Sequence, residues 1–160
     1  MGKIINLEQS KTLAQKLHQE NKRLVVVGGC FDLLHVGHIA FLEEAKKQGD
    51  ILIVLLESDE TIAKNKGSKR PINTQENRAK ILAALLVVDY VLALKPNMTD
   101  QDYDALVFAI KPAIIATTQG DTNRHYKEHQ AQNIGAQVVD VVMPIHNQST
   151  TRLIHLLDEL

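Results

Sequence analysis

The 160-residue chain contains little cysteine, no tryptophan and few aromatic residues of any kind. Its single cysteine, Cys30, excludes an intramolecular disulfide and a cysteine-based zinc cluster, as is usual in a reducing compartment. No apolar run is long enough to cross a bilayer, and the first residues lack the basic and apolar regions of a signal peptide. We therefore expect a cytoplasmic protein with no membrane partner.

The overall charge also excludes a class of partners. Lys plus Arg number 18 and Asp plus Glu number 19, so there is no positive excess to attract nucleic acid. A hydrophobic content of 44% is enough for one core of ordinary size. The composition predicts a single domain over residues 1–160 that acts on a small ligand.

Short apolar runs alternate with helical patterns along the chain. Five runs are rich in β-branched residues and lack clean polar alternation, which predicts strands buried on both faces, at 24–27, 51–56, 88–94, 113–116 and 138–143. An amphipathic helix is expected ahead of them, at about residues 6–21. This order predicts a Rossmann-like α/β fold, with a five-stranded parallel sheet and helices on both faces. Ligands of such sheets bind at the carboxyl ends of the strands.

Polar residues at fixed spacings indicate where several helices begin. Asn73 with Glu76 and Thr99 with Asp102 have the spacing of capping residues, and Ser149 is expected to cap the last helix.

The stretch GGCFDLLHVGH, residues 28–38, directly follows the first of these strands. Gly28 and Gly29 allow a sharp turn and the close approach of a ligand, and the start of the next helix favours phosphate. His35 and His38 are three residues apart, so they face the same side of a helix and can hold phosphate oxygens in either charge state. The stretch therefore predicts a phosphate site. Its glycine spacing matches neither a P-loop nor a dinucleotide fingerprint.

A second group of residues suggests a different chemistry. His125 and His129 have the i, i+4 spacing that can bind zinc, and Asp121 lies nearby in the sequence. No H-E-x-x-H motif is present, so an exposed polar helix face is the favoured interpretation and a metal site is the alternative.

Three ordered motifs resemble those of a known superfamily. GGCFDLLHVGH is similar to the F-D-x-x-H-x-G-H signature of the cytidylyltransferase-like nucleotidyltransferases. KGSKRP at 66–71, followed by ENR at 76–78, resembles a segment of the bacterial heptose-1-phosphate adenylyltransferase domain. STT at 149–151 resembles the superfamily's triphosphate motif. The resemblance covers the chain from about residue 24 to its end.

This resemblance implies transfer of a nucleoside monophosphate from a nucleoside triphosphate to a small phosphorylated acceptor, with release of pyrophosphate. The heptose type implies ATP, a sugar 1-phosphate acceptor and Mg²⁺ carried with the triphosphate. A CTP-dependent enzyme acting on glycerol 3-phosphate or a similar alcohol phosphate is one alternative. A catalytically idle nucleotide-binding protein is another. Relatives commonly form dimers, which makes a homodimer an expectation here.

The resemblance also assigns roles to individual positions. His35, His38 and Lys66 would be catalytic, and Asp32 would orient the loop or the incoming substrate. The residues expected to bind the nucleotide are Gly28, Gly29, Cys30, Phe31, Gly37, Arg78, Gly120, Asp121, Ser149, Thr150 and Thr151.

The chain departs from these relatives at positions expected to select the base and the acceptor. The heptose enzyme has a lysine and a further glycine ahead of its G-D pair, where this chain has Thr118 and Gln119. Relatives have a glycine before S-T-T where this chain has Asn147, and the glycerol-phosphate enzymes have an arginine near the position of Pro144. The motifs therefore indicate the reaction more sharply than the substrate.

Overall fold

The computed structural model describes residues 3–143 and 150–158. Its strands are β1 (Lys3–Ile5), β2 (Leu24–Gly29), β3 (Ile51–Leu56), β4 (Tyr90–Ala93), β5 (Ile114–Thr118) and β6 (Gln137–Val142). Its helices are α1 (Leu7–Gln19), α2 (Val36–Lys46), α3 (Asp59–Lys66), α4 (Gln75–Ala83), α5 (Asp100–Ile110), α6 (Arg124–Ile134) and α7 (Thr150–Asp158). No helix in these ranges is long and apolar enough to span a membrane.

The strands form one parallel sheet in the order β1-β4-β3-β2-β5-β6. The prediction of an α/β fold with a parallel sheet is confirmed, but the prediction of five strands is wrong. The sixth strand, β1, has three residues and pairs with β4, and only Ile5 in it is buried. So short a segment with one buried residue has no recognisable pattern in the sequence.

Buried side chains pack on both faces of the central strands. Val25 and Val27 of β2 pack on one face with Leu42 and Leu82 of α2 and α4. Val26 packs on the other face, against a cluster that includes residues of α1 and α5. Burial on both faces holds for these inner strands. It fails for β6, which is partly exposed along its length because it forms an edge of the sheet.

Several helix starts agree with their capping signals. Asn6 caps α1, inside the expected range 6–21, and Thr99 with Asp102 forms a capping box on α5. The start of α4 differs from the prediction, because Thr74 caps it and Asn73 does not. Asn73 instead donates its backbone N–H to Asp32, at 3.0 Å. Ser149, predicted to cap the last helix, lies outside the described residues.

The order in which strands are added to the sheet reverses at β2. Strands β3 and β4 lie on one side of β2 and strands β5 and β6 on the other, which makes the β2–β5 junction the switch point of the fold. β2 pairs with β3 over its whole length but with β5 only at Val25 and Val26. The carboxyl ends of β2 and β5 are therefore unpaired with each other, and this separation opens a cleft.

Candidate active site

An open cleft of about 410 Å³ lies at this switch point. Two segments far apart in the sequence form its walls, one around the glycine and histidine stretch and the other after β5. The predicted site residues that line it are Gly28, Gly29, Cys30, Phe31, His35, Gly37, His38, Gly120 and Asp121. The structure thus brings most of the residues chosen from the sequence to one place.

The two glycines at the end of β2 keep the floor of the cleft open for different reasons. A Cβ on Gly29 would meet the Phe31 ring at 2.8 Å, closer than a real Cβ contact, so glycine is needed for Phe31 to pack. A Cβ on Gly28 would meet no protein atom within 4 Å. Gly28 therefore leaves free space at the floor, where a ligand can approach the backbone closely.

His35 and His38 lie together at the start of α2. His35 is the N-cap residue, and its Nδ1 accepts a hydrogen bond from the backbone N–H of Gly37 at 3.1 Å. A neutral ring that accepts through Nδ1 has its proton on Nε2, so His35 keeps one donor for a ligand. The two imidazole rings stack, with centroids 3.9 Å apart and planes 26° apart. The expectation that both histidines face the same side is met, although His35 precedes the first helical turn.

His38 is held in its neutral form. The pKa of its ring is lowered from 6.5 to about 4. Burial is the largest cause, the charges of His35 and Lys66 add to it, and the Leu33 backbone opposes it in part. Burial also lowers the pKa of His35. The Nδ1 atom of His38 is buried and makes no well-formed hydrogen bond with the described residues. An anion bound beside such a ring would favour its protonation.

Asp32 is buried below the cleft and organises the segment that follows α3. Its carboxylate accepts hydrogen bonds from Arg70 Nε at 2.6 Å, from the Ile72 N–H at 2.8 Å and from the Asn73 N–H at 3.0 Å. Burial raises the pKa of Asp32, but these hydrogen bonds outweigh it and the net shift is downward. Asp32 therefore orients the loop, and its contact with an incoming substrate stays a prediction.

Arg78 does not reach the cleft, contrary to the expectation that it contacts the nucleotide. Its side chain is fully buried and donates to the carbonyls of Cys30, Asn73 and Glu57, at 2.6, 3.0 and 2.9 Å. It also forms an ion pair with Asp59, at 2.7 Å. Because α4 turns this residue inward, its guanidinium ties together the ends of β2 and β3.

Lys66 is the last residue of α3 and its side chain is exposed. It makes no ion pair with the described residues, yet its charge lowers the pKa of both Cys30 and His38. The charge of Lys66 therefore acts on two residues that line the cleft. Its predicted contact with phosphate stays a prediction.

The start of α7 reaches the loop that precedes His35. Thr150 is buried, and its hydroxyl donates to the Leu33 carbonyl at 3.2 Å. Thr151 follows it and is exposed. The contact brings the helix N-terminus to the histidine loop, but the phosphate contacts predicted for residues 149–151 stay predictions, and Ser149 lies outside the described residues.

Lys127 is a cleft residue that sequence reasoning missed. Its Nζ donates to Asp121 Oδ2 at 2.6 Å and to Thr117 Oγ1 at 2.8 Å, and Thr117 donates to the same carboxylate at 2.7 Å. Burial raises the pKa of Asp121, but these bonds outweigh it and lower the pKa overall. No short sequence spacing predicts this group, because its members come from β5, a turn and the first turn of α6.

Comparison with known proteins identifies the family. The cytidylyltransferase-like model matches residues 26–155. The chain belongs to the cytidylyltransferase-like family. It is 40% identical over 156 residues to the bifunctional protein HldE of Aliarcobacter butzleri, covering 98% of this chain. It is 34% identical over 159 residues to that of Desulfatibacillum aliphaticivorans. The chain spans about 30% of the length of these curated relatives.

Two solved structures have the same fold. The lipopolysaccharide core biosynthesis protein from Thermoplasma volcanium superposes with a TM-score of 0.59 at 30% identity, over 78% of this chain and 97% of that one. The pantoate-beta-alanine ligase from Francisella tularensis superposes with a TM-score of 0.65 over 99% of this chain and 77% of that one. At 17% identity, the second comparison concerns the fold alone.

In this cytidylyltransferase-like chain, the alternative of a metal site on α6 has no support among the described residues. No three His, Cys, Asp or Glu side chains converge there to hold a metal ion. The His129 ring lies 3.9 Å from Asp104 of α5, and the His125 ring packs on Tyr126. Asp121, the third residue of that hypothesis, is bonded to Lys127 instead.

Proposed function

We propose that the chain is a nucleotidyltransferase that transfers a nucleoside monophosphate, with ATP the favoured donor, to a small phosphorylated acceptor such as a sugar 1-phosphate. The observation that carries this proposal is the stacked pair of neutral imidazoles at the start of α2, in a cleft at the switch point of the sheet. Membership of the cytidylyltransferase-like family supports the reaction type. The similarity to HldE supports the sugar phosphate.

In the proposed reaction, an oxygen of the acceptor phosphate attacks the α-phosphorus of the nucleotide. A new P–O bond forms as the bond to pyrophosphate breaks, so no enzyme nucleophile is needed. Negative charge moves to the leaving pyrophosphate, and the protein contributes by holding both reactants in line and stabilising that charge. His35 and His38 would donate to phosphate oxygens, and the N-terminus of α2 and the Lys66 cation would add positive potential.

The low pKa of His38 suits this task. A neutral ring binds without a fixed charge of its own and becomes more basic as negative charge builds up beside it. His38 would thus respond to the charge of the transition state more than to that of the bound nucleotide.

Mg²⁺ fits this site as a cation carried by the triphosphate. Asp121 lines the cleft and Asp32 follows Phe31, which lines it, and both carboxylates are engaged by protein donors. Oxygen atoms of the phosphates are ordinary ligands of Mg²⁺, which binds few protein groups in such sites. When bound, the ion would neutralise charge on the phosphates.

A pyrophosphate-release assay tests the proposal. Each of the four nucleoside triphosphates would be paired with sugar 1-phosphates, including heptose 1-phosphate, and with glycerol 3-phosphate. We expect the fastest release with ATP and a sugar 1-phosphate. Release with CTP and glycerol 3-phosphate alone would support the alternative of a cytidylyltransferase. Absence of both release and pyrophosphate exchange, despite nucleotide binding, would support an idle nucleotide-binding protein.

The expected cytoplasmic location and homodimer complete the proposal. Light scattering during size-exclusion chromatography would measure the mass of the particle, and twice the chain mass of 17.8 kDa is the expected value.

A further inference from the structure

Glu57 and Tyr103 form a polar pair outside the residues that line the cleft. Glu57 directly follows β3, and its backbone N–H donates to the Gly29 carbonyl of β2 at 3.1 Å. The phenol of Tyr103, from α5, lies 3.0 and 2.9 Å from the two carboxylate oxygens of Glu57. The pair thus lies at the carboxyl edge of the sheet, beside Cys30 and on the side of β2 away from β5.

The Glu57 carboxylate has fewer partners than it can accommodate. A carboxylate can accept about four hydrogen bonds, and Tyr103 is its one side-chain donor among the described residues. Arg78 lies nearby but donates to the Glu57 backbone carbonyl and to Asp59, not to the Glu57 side chain. Burial raises the pKa of Glu57, as expected for a carboxylate without an ion-pair partner. Burial of a carboxylate with so few hydrogen bonds contributes little to the stability of the fold. Its remaining acceptor sites are available to a ligand.

The helix that follows Glu57 carries a cation at its end, because α3 begins two residues after Glu57 and its last residue is Lys66. The charges of Lys66 and Glu57 both act on the Cys30 thiol, the first lowering its pKa and the second raising it. Lys66 is exposed and free of ion pairs with the described residues, as stated above. A cation and a carboxylate with spare acceptor sites suit one ligand that carries both a phosphate and hydroxyl groups.

We propose that Glu57 binds hydroxyl groups of the acceptor and that Tyr103 positions the Glu57 carboxylate, so that the acceptor is a polyhydroxylated phosphate and not a simple alkyl phosphate. The inference rests on the proposed nucleotidyl transfer and assigns recognition of the acceptor to Glu57. The nucleotide occupies the cleft on the β5 side, the acceptor phosphate meets Lys66, and the acceptor hydroxyls reach the β3 side.

The variants Glu57→Gln and Tyr103→Phe test this assignment, with Glu60→Gln as the matched control. Gln keeps the shape of Glu57 but removes its charge, and Glu60 is an exposed carboxylate three residues away on α3. We expect Glu57→Gln to raise the KM for the sugar 1-phosphate about tenfold or more, as for the loss of hydrogen bonds to a charged group. The KM for ATP should stay within about twofold of wild type, as it should for both substrates in Glu60→Gln.

Tyr103→Phe should raise the same KM by a smaller factor, because it leaves the carboxylate in place but without its orienting donor. Melting temperatures would be measured for all variants. A lower melting temperature in both variants with an unchanged acceptor KM would show that the pair is only structural and would overturn the inference.

Selectivity gives the second readout. Wild type should prefer a sugar 1-phosphate to ethyl phosphate, and Glu57→Gln should lose about tenfold of that preference in kcat/KM. Equal preference in the two proteins would contradict the inference and leave the proposed transferase intact. If wild type turns over no acceptor, calorimetric titration shows separately whether it binds sugar 1-phosphates. Absence of binding would also overturn the inference.

Discussion

The stacked rings of His35 and His38 differ in how far the protein encloses them. His38 is the more deeply enclosed, with its Nδ1 atom buried, and burial is the main reason that its pKa falls to about 4. His35 caps α2 through its Nδ1 and retains a donor on Nε2. Both rings are therefore neutral and lie side by side, and the protonation of His38 depends more strongly on the charge of a group bound beside it.

Replacing His38 with Ala should reduce turnover far more than it weakens ATP binding. In the proposed reaction the ring would stabilise charge that appears in the transition state, so we expect a loss of about 10²–10³ in kcat and a change of about threefold or less in the Kd for ATP. Steady-state kinetics and isothermal calorimetry measure these two quantities, and calorimetry suits a chain without tryptophan. His125→Ala, at an exposed position of α6, is the control. Equal losses in kcat and affinity would contradict this role.

The low pKa of His38 predicts a pH dependence of stability. Between about pH 4 and 6.5 the unfolded chain binds a proton on this residue that the folded chain does not, so the free energy of unfolding should rise with pH across this window. The contribution of Glu57 to the free energy of unfolding should instead fall as the pH rises, because its raised pKa makes the folded state bind its proton more tightly. The comparison of wild type with His38→Gln isolates the histidine, and chemical denaturation at several pH values measures it. A difference between the two proteins that is constant with pH would refute the prediction.

Lys66→Ala should affect both catalysis and the histidine. Removal of the Lys66 cation should lower kcat/KM about tenfold or more, and it should raise the pKa of His38, since Lys66 lowers that pKa in the wild type. NMR titration of the His38 ring gives the second quantity without any substrate. Lys64→Ala removes an exposed charge from the same helix and should change neither. A His38 pKa that stays the same in Lys66→Ala would place the ammonium away from the cleft.

Arg78→Met should destabilise the fold by about 3 kcal/mol or more, because it leaves buried backbone carbonyls and Asp59 without their donor. Urea denaturation measures the change. Lys80→Met is the control, since its pair with Glu76 is exposed and surface pairs contribute little. A loss of nucleotide affinity without a loss of stability would instead support the contact predicted from the sequence.

Lys127→Met should weaken nucleotide binding, because Asp121 and Thr117 lose the cation that fixes them at the cleft wall. We expect about a tenfold rise in the KM for ATP with a smaller change in kcat. Arg124→Gln is the control on the same helix, since Arg124 pairs with Glu128 and Asp140 and does not line the cleft. A KM for ATP equal to that of wild type would assign Lys127 to the stability of the β5–α6 turn alone.

Local patterns in the sequence were sufficient for much of the fold and for one wall of the site. Alternating strands and helices predicted the parallel sheet, and glycines followed by two spaced histidines predicted the wall formed by β2 and α2. These features depend on neighbours in the sequence, so periodicity and spacing report them. Helix α3 was missed because only Ile62 in it is buried, and β1 was missed because it is too short to show a period.

The direction of individual side chains could not be predicted in the same way. Arg78 belongs to a recognisable motif, yet whether it faces a ligand or the ends of β2 and β3 depends on how α4 packs. Lys127 has no motif at all, and it becomes a cleft residue only because a turn returns α6 to the end of β5. Both facts follow from tertiary packing, which a single sequence does not contain.

The two walls of the cleft come from separate stretches of the sequence. The histidine wall is one continuous stretch tied to the core through Phe31, Asp32 and the carbonyl held by Arg78. The opposite wall is largely another stretch, 117–127, which closes on itself through the Thr117, Asp121 and Lys127 contacts. Residues of either stretch can be substituted without loss of the hydrogen bonds that hold the other. A graft of residues 117–127 from a relative should therefore change ligand preference while the stretch that carries the proposed catalytic histidines stays unaltered.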